Sequence, residues 1–259
     1  MWHIDDLDLD AYLDRIGHGG PRTPSAATLR AVHRAHVTAI PFENLDVVLG
    51  RGIPLDPKSL QDKMVTGGRG GYCHEHNLLF AAALERLGFP VTRLLARIRL
   101  GGRSHLPRSH AMLLVTADGR RWLADVGFGG DGLVEPMPFA EEATASAGPW
   151  RWRLTRDGDL WILHAGEEQL YGFRTDEPHY PSDFEVANHY VATHPPAPRS
   201  SPTCWPSARR SASAYGSSTW GARTAEGLRD GLRDRIGITI SEADAASLLP
   251  LIYPEGRPD

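Results

Sequence analysis

The sequence predicts an α+β fold, because helical and strand patterns occupy different parts of the 259-residue chain. Apolar residues recur at helix spacing through the first third, which predicts a helical unit. From Pro90 to Phe173 the apolar residues alternate with polar ones or run together in short stretches, as they do in β-strands. Helical patterns return after residue 183. Grouped helices and grouped strands are typical of α+β proteins rather than of alternating α/β folds.

Four helices are predicted in the first third. The second should begin at a Thr23-Pro24 cap, since threonine caps helices and proline fits their first turn, and it should end at Pro41. The fourth is strongly apolar and should begin at about His74, which places Cys73 at a helix amino terminus. The four predicted helices cover residues 9–16, 24–40, 57–65 and 74–86.

The middle of the chain predicts a meandering sheet or barrel, in which Asp118-Gly119 forms a hairpin turn. Its predicted strands cover residues 91–100, 110–116, 121–126, 149–155, 159–164 and 168–173. Three further helices are predicted at residues 183–191, 226–235 and 241–251.

Composition excludes several classes of function. The net charge is -4, so the chain lacks the basic surface that a nucleic-acid backbone requires. The longest purely apolar run, Leu78 to Leu84, is much shorter than the about 20 residues of a membrane span. The amino terminus has no basic and apolar leader, which predicts a cytoplasmic location. With only two cysteines, a disulfide framework is not expected.

Cys73 is the strongest candidate for a catalytic residue. A thiol at a helix amino terminus faces free backbone N–H groups and the positive end of the helix dipole, which stabilise a thiolate. The preceding Gly70-Gly71 allows a tight turn and leaves room beside the sulfur. The alternative is that Cys73 is a small buried apolar residue of the core.

Hairpin register supplies a base and an acid for this thiol. If Asp118-Gly119 is a two-residue turn, Ala117 pairs with Arg120, and side-chain alternation puts His110 and Asp125 on one face as diagonal neighbours. An imidazole–carboxylate hydrogen bond is then within reach. A three-residue turn would instead put the two residues on opposite faces of the hairpin. The alternative to a catalytic pair is a solvated aspartate at the strand end and an ordinary histidine. Together the three side chains would form a Cys-His-Asp triad for acyl transfer.

Two other clusters have less specific interpretations. His74 and His76 lie two apart, so on a helix they point in different directions, and no second cysteine cluster completes a metal site. No metal is therefore predicted. Arg69, Glu43 and Glu75 lie among apolar residues and are expected to pair and fix the loop that carries Cys73, the alternative being solvation at the surface.

Four motifs surround these residues: Pro41-Phe42-Glu43-Asn44-Leu45, Arg69-Gly70-Gly71-Tyr72-Cys73-His74-Glu75-His76-Asn77, the strand that opens at His110, and Asp125-Val126-Gly127-Phe128-Gly129. In their sequence and in their order along residues 8–195, these motifs resemble the arylamine N-acetyltransferase family. The resemblance implies a cysteine-proteinase-like core with a helical first domain, a β-barrel second domain and an α/β third domain. It implies Cys73 as the nucleophile, His110 as the base and Asp125 as the orienting acid.

The same resemblance implies a ping-pong transfer. Acetyl-CoA would acylate Cys73, and an arylamine or hydrazine would then attack the thioester, with no permanently bound cofactor. The Cys73 N–H is the candidate oxyanion donor. The resemblance also implies that Phe42, Ile98 and Phe128 line the acceptor pocket, and that Gly127, Gly129 and Gly130 let coenzyme A approach the backbone.

Domain boundaries follow from these assignments. Residues 1–88 are expected to form the helical domain, residues 89–190 the barrel domain and residues 191–259 an α/β lid. The lid departs from the family pattern, because residues 192–227 contain no Leu, Ile, Val, Met or Phe. We hypothesise that this stretch is frameshifted or degenerate, which would remove part of the wall of both substrate pockets.

Two other functions fit the triad and its flanking motifs, whereas proteolysis fits the triad but not those motifs. An amide synthase of polyketide assembly uses the same residues to release a carrier-bound chain as a macrolactam. An inactive relic that serves as a scaffold would keep the triad without an activated thiol. Activity with coenzyme A thioesters would separate the acetyltransferase from the first alternative, and rapid alkylation of Cys73 by iodoacetamide would count against the second.

Overall fold

The computed structural model describes residues 1–194 and 224–252, and its helices flank one antiparallel sheet. The helices of the first third are α1 (Leu9–Arg15), α2 (Ala26–Ala39), α3 (Leu45–Val48), α4 (Pro57–Leu60) and α5 (Cys73–Arg86). The later helices are α6 (Pro181–Thr193), α7 (Ala225–Ile236) and α8 (Glu242–Ile252). Each predicted helix is present within a few residues of its expected bounds.

Two helices differ from the sequence prediction, one in its start and the other in its second half. Helix α2 begins at Ala26 rather than at the Thr23-Pro24 cap, because the Ser25 side chain accepts the backbone N–H of Thr28 at 3.1 Å and so caps the helix. The predicted third helix starts at an Asp56 cap, and after α4 it continues as a π-helical segment over Gln61–Thr66.

Within the described residues the sheet has eight strands in the order β4-β3-β2-β1-β8-β7-β6-β5. Its two edge strands approach each other, which nearly closes the sheet into a barrel. The strands are β1 (Val91–Ile98), β2 (Arg108–Ala117), β3 (Arg120–Ala124), β4 (Met137–Pro138), β5 (Thr144–Ala147), β6 (Trp150–Asp157), β7 (Leu160–Ala165) and β8 (Glu168–Phe173). Strands β4 and β5 were not predicted, because one is two residues long and the other contains only small residues.

The β2–β3 hairpin has the register that the sequence predicts. Ala117 pairs with Arg120 and Leu113 with Ala124, so the turn has two residues. Asp118 and Gly119 both have positive φ, 50° and 69°, as a two-residue turn of this hand requires. The turn also touches the helical unit, since Asp118 Oδ2 accepts the backbone N–H of Ala26 at 3.0 Å.

Two hydrophobic cores lie on opposite faces of the first three strands. Helices α2, α5 and α6 pack on one face, where Leu79 and Phe80 of the nucleophile helix join Leu113 and Val115 of β2 in one cluster that also includes residues of α1 and α4. The other face lines the barrel interior with Leu94, Met112 and Leu123, among others. The helical unit therefore shares its core with the sheet, and α5 is pressed directly against the strand that carries His110.

Helices α7 and α8 form a third cluster with α3. Leu228, Leu232 and Leu248 pack around Leu45 at the start of α3. The predicted helices at 226–235 and 241–251 are thus present, whereas most of the atypical stretch, residues 195–223, lies outside the described residues. Among the described residues, no helix combines the length and apolar character needed to span a bilayer.

Candidate active site

Cys73 is the first residue of α5 and is buried at 9% exposure. Its sulfur lies 3.4 Å from Nδ1 of His74 and 3.7 Å from the carbonyl oxygen of Ser109. As the first residue of the helix, Cys73 has a backbone N–H with no partner inside the helix. The predicted setting of this thiol, at a helix amino terminus, is therefore present.

The loop before Cys73 is fixed by the chain around Pro41. Gly71 donates its N–H to Pro41 O at 3.3 Å and accepts the N–H of Glu43 at 2.8 Å. Gly70 passes so close that a Cβ there would lie 2.0 Å from the Pro41 oxygen. Glycine is required at that position by backbone contact, rather than only by the room needed beside the sulfur.

Charged side chains pair beneath this loop, in a different combination from the one predicted. Arg69 binds Glu43 at 2.7 Å, as expected. Glu75 instead binds Lys63 at 2.7 Å, and its other oxygen accepts the N–H of Tyr72 at 3.1 Å, which caps α5. Asp46 joins the two pairs through Lys63 and Arg69. The pairing was incompletely predicted because Lys63 and Asp46 reach the loop from other helices.

His110 and Asp125 are brought together as the hairpin register predicts. His110 Nε2 donates to Asp125 Oδ2 at 2.7 Å, and both side chains are at most 2% exposed. Asp125 Oδ1 also accepts Asn77 Nδ2 and the Gly127 N–H, each at 2.9 Å. The ring of Tyr171 lies 4.8 Å from that of His110, between centroids. With Nε2 held by Asp125, Nδ1 of His110 is left for the thiol.

Asn77 links helix α5 to the β2–β3 hairpin through hydrogen bonds, a role that was not predicted from the sequence. Its amide nitrogen donates to Ala111 O at 2.7 Å as well as to Asp125, and its oxygen accepts the Val126 N–H at 3.2 Å. It is completely buried on a helix whose next seven residues are apolar. A lone amide in such a stretch is the pattern that could have identified it.

Electrostatics favour an ion pair between thiol and imidazole. Burial raises the pKa of Cys73, but electrostatic attraction and hydrogen bonds from the neighbouring imidazoles of His74 and His110 lower it to about 5. Burial lowers the pKa of His110, whereas Asp125 and the Cys73 thiolate raise it to about 10. Burial also raises the pKa of Asp125, but the charge of His110 and hydrogen bonds from His110, Asn77 and Gly127 hold it below its usual value. Neutral pH thus favours thiolate and imidazolium.

The predicted pocket residues lie around this centre in two groups. Phe128 contacts the His110 ring edge-on at 5.1 Å and Tyr171 at 5.4 Å, and Ile98 pairs with Tyr171 across the sheet. Phe42 stacks on His76 with 6.1 Å between ring centroids.

The three predicted glycines differ in their surroundings. A Cβ on Gly127 would lie 2.6 Å from Asn77 Nδ2 and 2.8 Å from Cys73 O, so the protein's own packing requires this glycine. Gly129 has a φ of +72°, and a Cβ there would touch Phe42 at 3.2 Å. A Cβ on Gly130 would meet no described atom within 4 Å.

A buried chain of hydrogen bonds lies behind the loop. Tyr12 bonds His36 Nδ1 at 2.8 Å, His36 Nε2 bonds His76 Nδ1 at 2.9 Å, and His76 Nε2 bonds Pro41 O at 3.2 Å. Because the carbonyl can only accept, His76 donates there, which makes His36 the donor to His76 and Tyr12 the donor to His36. Both histidines are neutral in this arrangement.

Acid should destabilise the protein through this chain. Burial lowers the pKa of His76 to about 4, against about 6.5 in an unfolded chain, so the unfolded state takes up a proton first as the pH falls. We expect His76 to reduce the free energy of unfolding by about 3 kcal/mol between pH 6.5 and pH 4. Urea unfolding across this range should show a smaller slope with pH for His76→Gln, and an equal slope would contradict the prediction.

No group of three or more His, Cys, Asp and Glu side chains is arranged to hold a metal ion within the described residues. His74 contacts the Cys73 sulfur, whereas His76 points into the buried hydrogen-bond chain, so the two histidines do diverge.

Residues 25–206 match the N-acetyltransferase family. The arylamine N-acetyltransferase of Escherichia coli (strain K12) is 40% identical over 192 residues, which are 72% of this chain and 68% of that protein. The chain belongs to the arylamine N-acetyltransferase family. The family's enzyme from Mycolicibacterium smegmatis is 43% identical over 199 residues, covering 73% of this chain and 72% of that protein.

Solved structures of the family have the same fold. The crystal structure of Nocardia farcinica arylamine N-acetyltransferase superposes with a TM-score of 0.79 at 37% identity, covering 98% of this chain and 96% of that one. The structure of Mycobacterium marinum arylamine N-acetyltransferase in complex with CoA superposes with a TM-score of 0.78 at 28% identity, covering 95% of this chain and 100% of that one. The predicted family and α+β fold are confirmed, and an amide synthase or an inactive relic is not favoured by these relatives.

Proposed function

We propose that this chain transfers the acetyl group of acetyl-CoA to the nitrogen of an arylamine or a hydrazine, through a thioester on Cys73. The observation that carries the proposal is the buried His110–Asp125 pair beside a thiol at a helix amino terminus. Relatives named as arylamine N-acetyltransferases, one of them solved with CoA, support this choice of donor and acceptor.

In the first half-reaction, the Cys73 thiolate attacks the carbonyl carbon of acetyl-CoA. The thiol proton already resides on His110, because the pKa of Cys73 is lowered and the pKa of His110 is raised in this site. The new S–C bond gives a tetrahedral oxyanion, for which the Cys73 N–H, without a partner inside the helix, is the candidate donor. Coenzyme A leaves as its thiol when the C–S bond to it breaks and His110 supplies the proton.

In the second half-reaction, the amine nitrogen attacks the acetyl carbon. His110, now neutral, takes the proton of the amine, and the electron pair of the breaking C–S bond returns to Cys73. Asp125 holds the imidazole throughout, since its Oδ2 accepts the His110 Nε2–H while Asn77 and Gly127 fix its other oxygen.

Substrate positions follow from the surroundings of the pair. We propose that Phe128 and Ile98, which lie around Tyr171, and Phe42 form apolar walls for a flat amine. Gly129 and Gly130 leave backbone accessible for coenzyme A, whereas Gly127 contributes through its packing against Cys73. We also propose that residues 1–88, 89–190 and 191–259 form three domains.

A cytoplasmic location is also proposed. A thiolate nucleophile has to stay reduced between turnovers, and the cytosolic thiol pool maintains that state.

Mass spectrometry of the wild-type protein tests this function. Brief treatment with acetyl-CoA should add one acetyl group, and peptide mapping should place it on Cys73. Addition of an arylamine such as aniline should remove the adduct and release acetylated amine. The proposal fails if no adduct forms, or if an adduct forms that no arylamine or hydrazine removes faster than water does.

A further inference from the structure

His74 is the second imidazole against the catalytic sulfur, and the transfer described above gives it no role. It follows Cys73 in α5 and is completely buried. Its Nδ1 lies 3.4 Å from the Cys73 sulfur, within hydrogen-bond distance for a sulfur atom. The position next to the nucleophile in sequence therefore also places its ring beside the nucleophile in space.

Among the described residues, the Cys73 sulfur is the polar contact of the His74 ring. The ring packs against Tyr72, at 5.6 Å between centroids, and edge-on against Phe184 of α6 at 6.4 Å. Its Nε2 is buried with no hydrogen-bond partner among the described residues. An apolar pocket of this kind excludes water from one side of the imidazole, so the contact with Cys73 is the one that can fix its orientation.

The position of the proton on the His74 ring follows from the contacts of its two nitrogens. A neutral imidazole carries one N–H and one lone pair. Buried N–H groups without a partner are rarer than acceptors without one. The proton of His74 therefore lies on Nδ1 and faces the sulfur, and the lone pair lies on Nε2 in the apolar pocket.

We propose that His74 is a further catalytic residue, which donates its Nδ1–H to the Cys73 sulfur and stabilises that atom whenever it carries negative charge. This rests on the proposed function, in which Cys73 is the nucleophile. The sulfur is an anion in the free enzyme and becomes one again as the thioester breaks, whereas the thioester sulfur is a weak acceptor.

The consequence is a bias between the two half-reactions. During deacylation the N–C bond forms, the C–S bond breaks, its electron pair moves to Cys73, and the amine proton moves to His110. His74 keeps its own proton and only strengthens its hydrogen bond as charge grows on the sulfur. During acylation the thiolate gives that hydrogen bond up. His74 thus accelerates release of the acetyl group at some expense to its capture.

Other ionisable groups around the sulfur are the His110–Asp125 pair on the sheet side, and Tyr72 and Glu75 on the α5 side. All of them remain in a His74 variant, so a changed pH profile would report on His74 itself.

Four variants separate the hydrogen bond from the space that the ring fills. His74→Phe keeps an aromatic ring without a donor. His74→Asn keeps an N–H donor the same number of bonds from Cβ as Nδ1. His74→Gln places its amide nitrogen where Nε2 was, away from the sulfur. His189→Asn, on an exposed position of α6, is the control for loss of an imidazole.

Two measurements on the full-length variants test the proposal: the pH dependence of iodoacetamide alkylation of Cys73, and the rate at which aniline removes the acetyl group in a single turnover. In His74→Phe and His74→Gln we expect the alkylation midpoint to rise by about one pH unit and deacylation to slow by about tenfold. His74→Asn should restore most of both, and His189→Asn should match the wild type.

The outcomes also separate this inference from the proposed function. If wild-type Cys73 is acetylated but His74→Phe and His74→Gln keep its midpoint and deacylation rate, the role of His74 is refuted. If the wild type forms no acetyl-enzyme, the transfer function is refuted, and the alkylation profile alone decides whether His74 stabilises the thiolate. Should His74→Phe fail to fold, the comparison of Gln with Asn decides the question, because equal behaviour of those two would contradict the proposal.

Discussion

A Cys73→Ala variant should form no acetyl-enzyme with acetyl-CoA and should lose arylamine acetylation altogether. Alanine offers no nucleophile, and the nearby imidazoles cannot replace it, because His110 is held by Asp125 and His74 is enclosed by Tyr72 and Phe184. The fold should persist, since only one buried sulfur is removed, and such a deletion costs on the order of 1 kcal/mol of stability. Intact-protein mass spectrometry and a thermal melt measure the two quantities.

The other cysteine of the sequence supplies the matched control. Cys204→Ala should acquire the same acetyl adduct as the wild type, on Cys73. An adduct that persists on Cys73→Ala, or one that disappears with Cys204→Ala alone, would reassign the nucleophile.

Asp125→Asn should slow acylation of Cys73 by roughly 10³–10⁴-fold, by analogy with the same change in a serine protease triad. Asp125 Oδ1 accepts two N–H groups, from Asn77 and Gly127, so the amide oxygen of asparagine would take that position. Its NH₂ group would then face His110 Nε2, which would have to become an acceptor. The ring proton would move to Nδ1, on the side of Cys73, and the imidazole could no longer take the thiol proton.

Rapid mixing with acetyl-CoA measures this acylation step directly. The pH profile of acylation should change as well. Without the Asp125 carboxylate the His110 imidazolium is no longer stabilised, so the Cys73 thiolate loses its positively charged partner and forms only at a higher pH. A variant that acylates within tenfold of the wild type would show that Asp125 does not set the state of His110. An Asp14→Asn change, on an exposed residue of α1, is the control for loss of a carboxylate.

Local chemistry explains why the His110–Asp125 contact could be predicted from the sequence. Asp118-Gly119 favours a tight two-residue turn, and the two-residue turn that forms fixes the pairing of the strands in the hairpin. The two side chains lie within one such hairpin, so no knowledge of the rest of the molecule is needed to bring them together.

The contacts of Asn77 and His74 could not be predicted in this way. Asn77 meets Ala111 and Asp125 only because α5 packs against the sheet at one depth and angle, which long-range packing decides. The apolar contact of the His74 ring with Phe184 of α6, more than a hundred residues later in the chain, depends on long-range packing in the same way. The start of α2 was misplaced for a local reason, since Ser25 caps better than the Thr23-Pro24 pair.

Asn77 has a consequence for building hybrid enzymes. One amide from the helical half fastens three points of the hairpin half, two of them on the main chain. A chimaera that takes residues 1–88 from one relative and the barrel from another would keep every triad residue. A change in the position of α5 relative to the hairpin would nevertheless separate the Cys73 sulfur from the His110 imidazole. Successful recombination should therefore depend on exchanging α5 together with β2 and β3, as a single cassette.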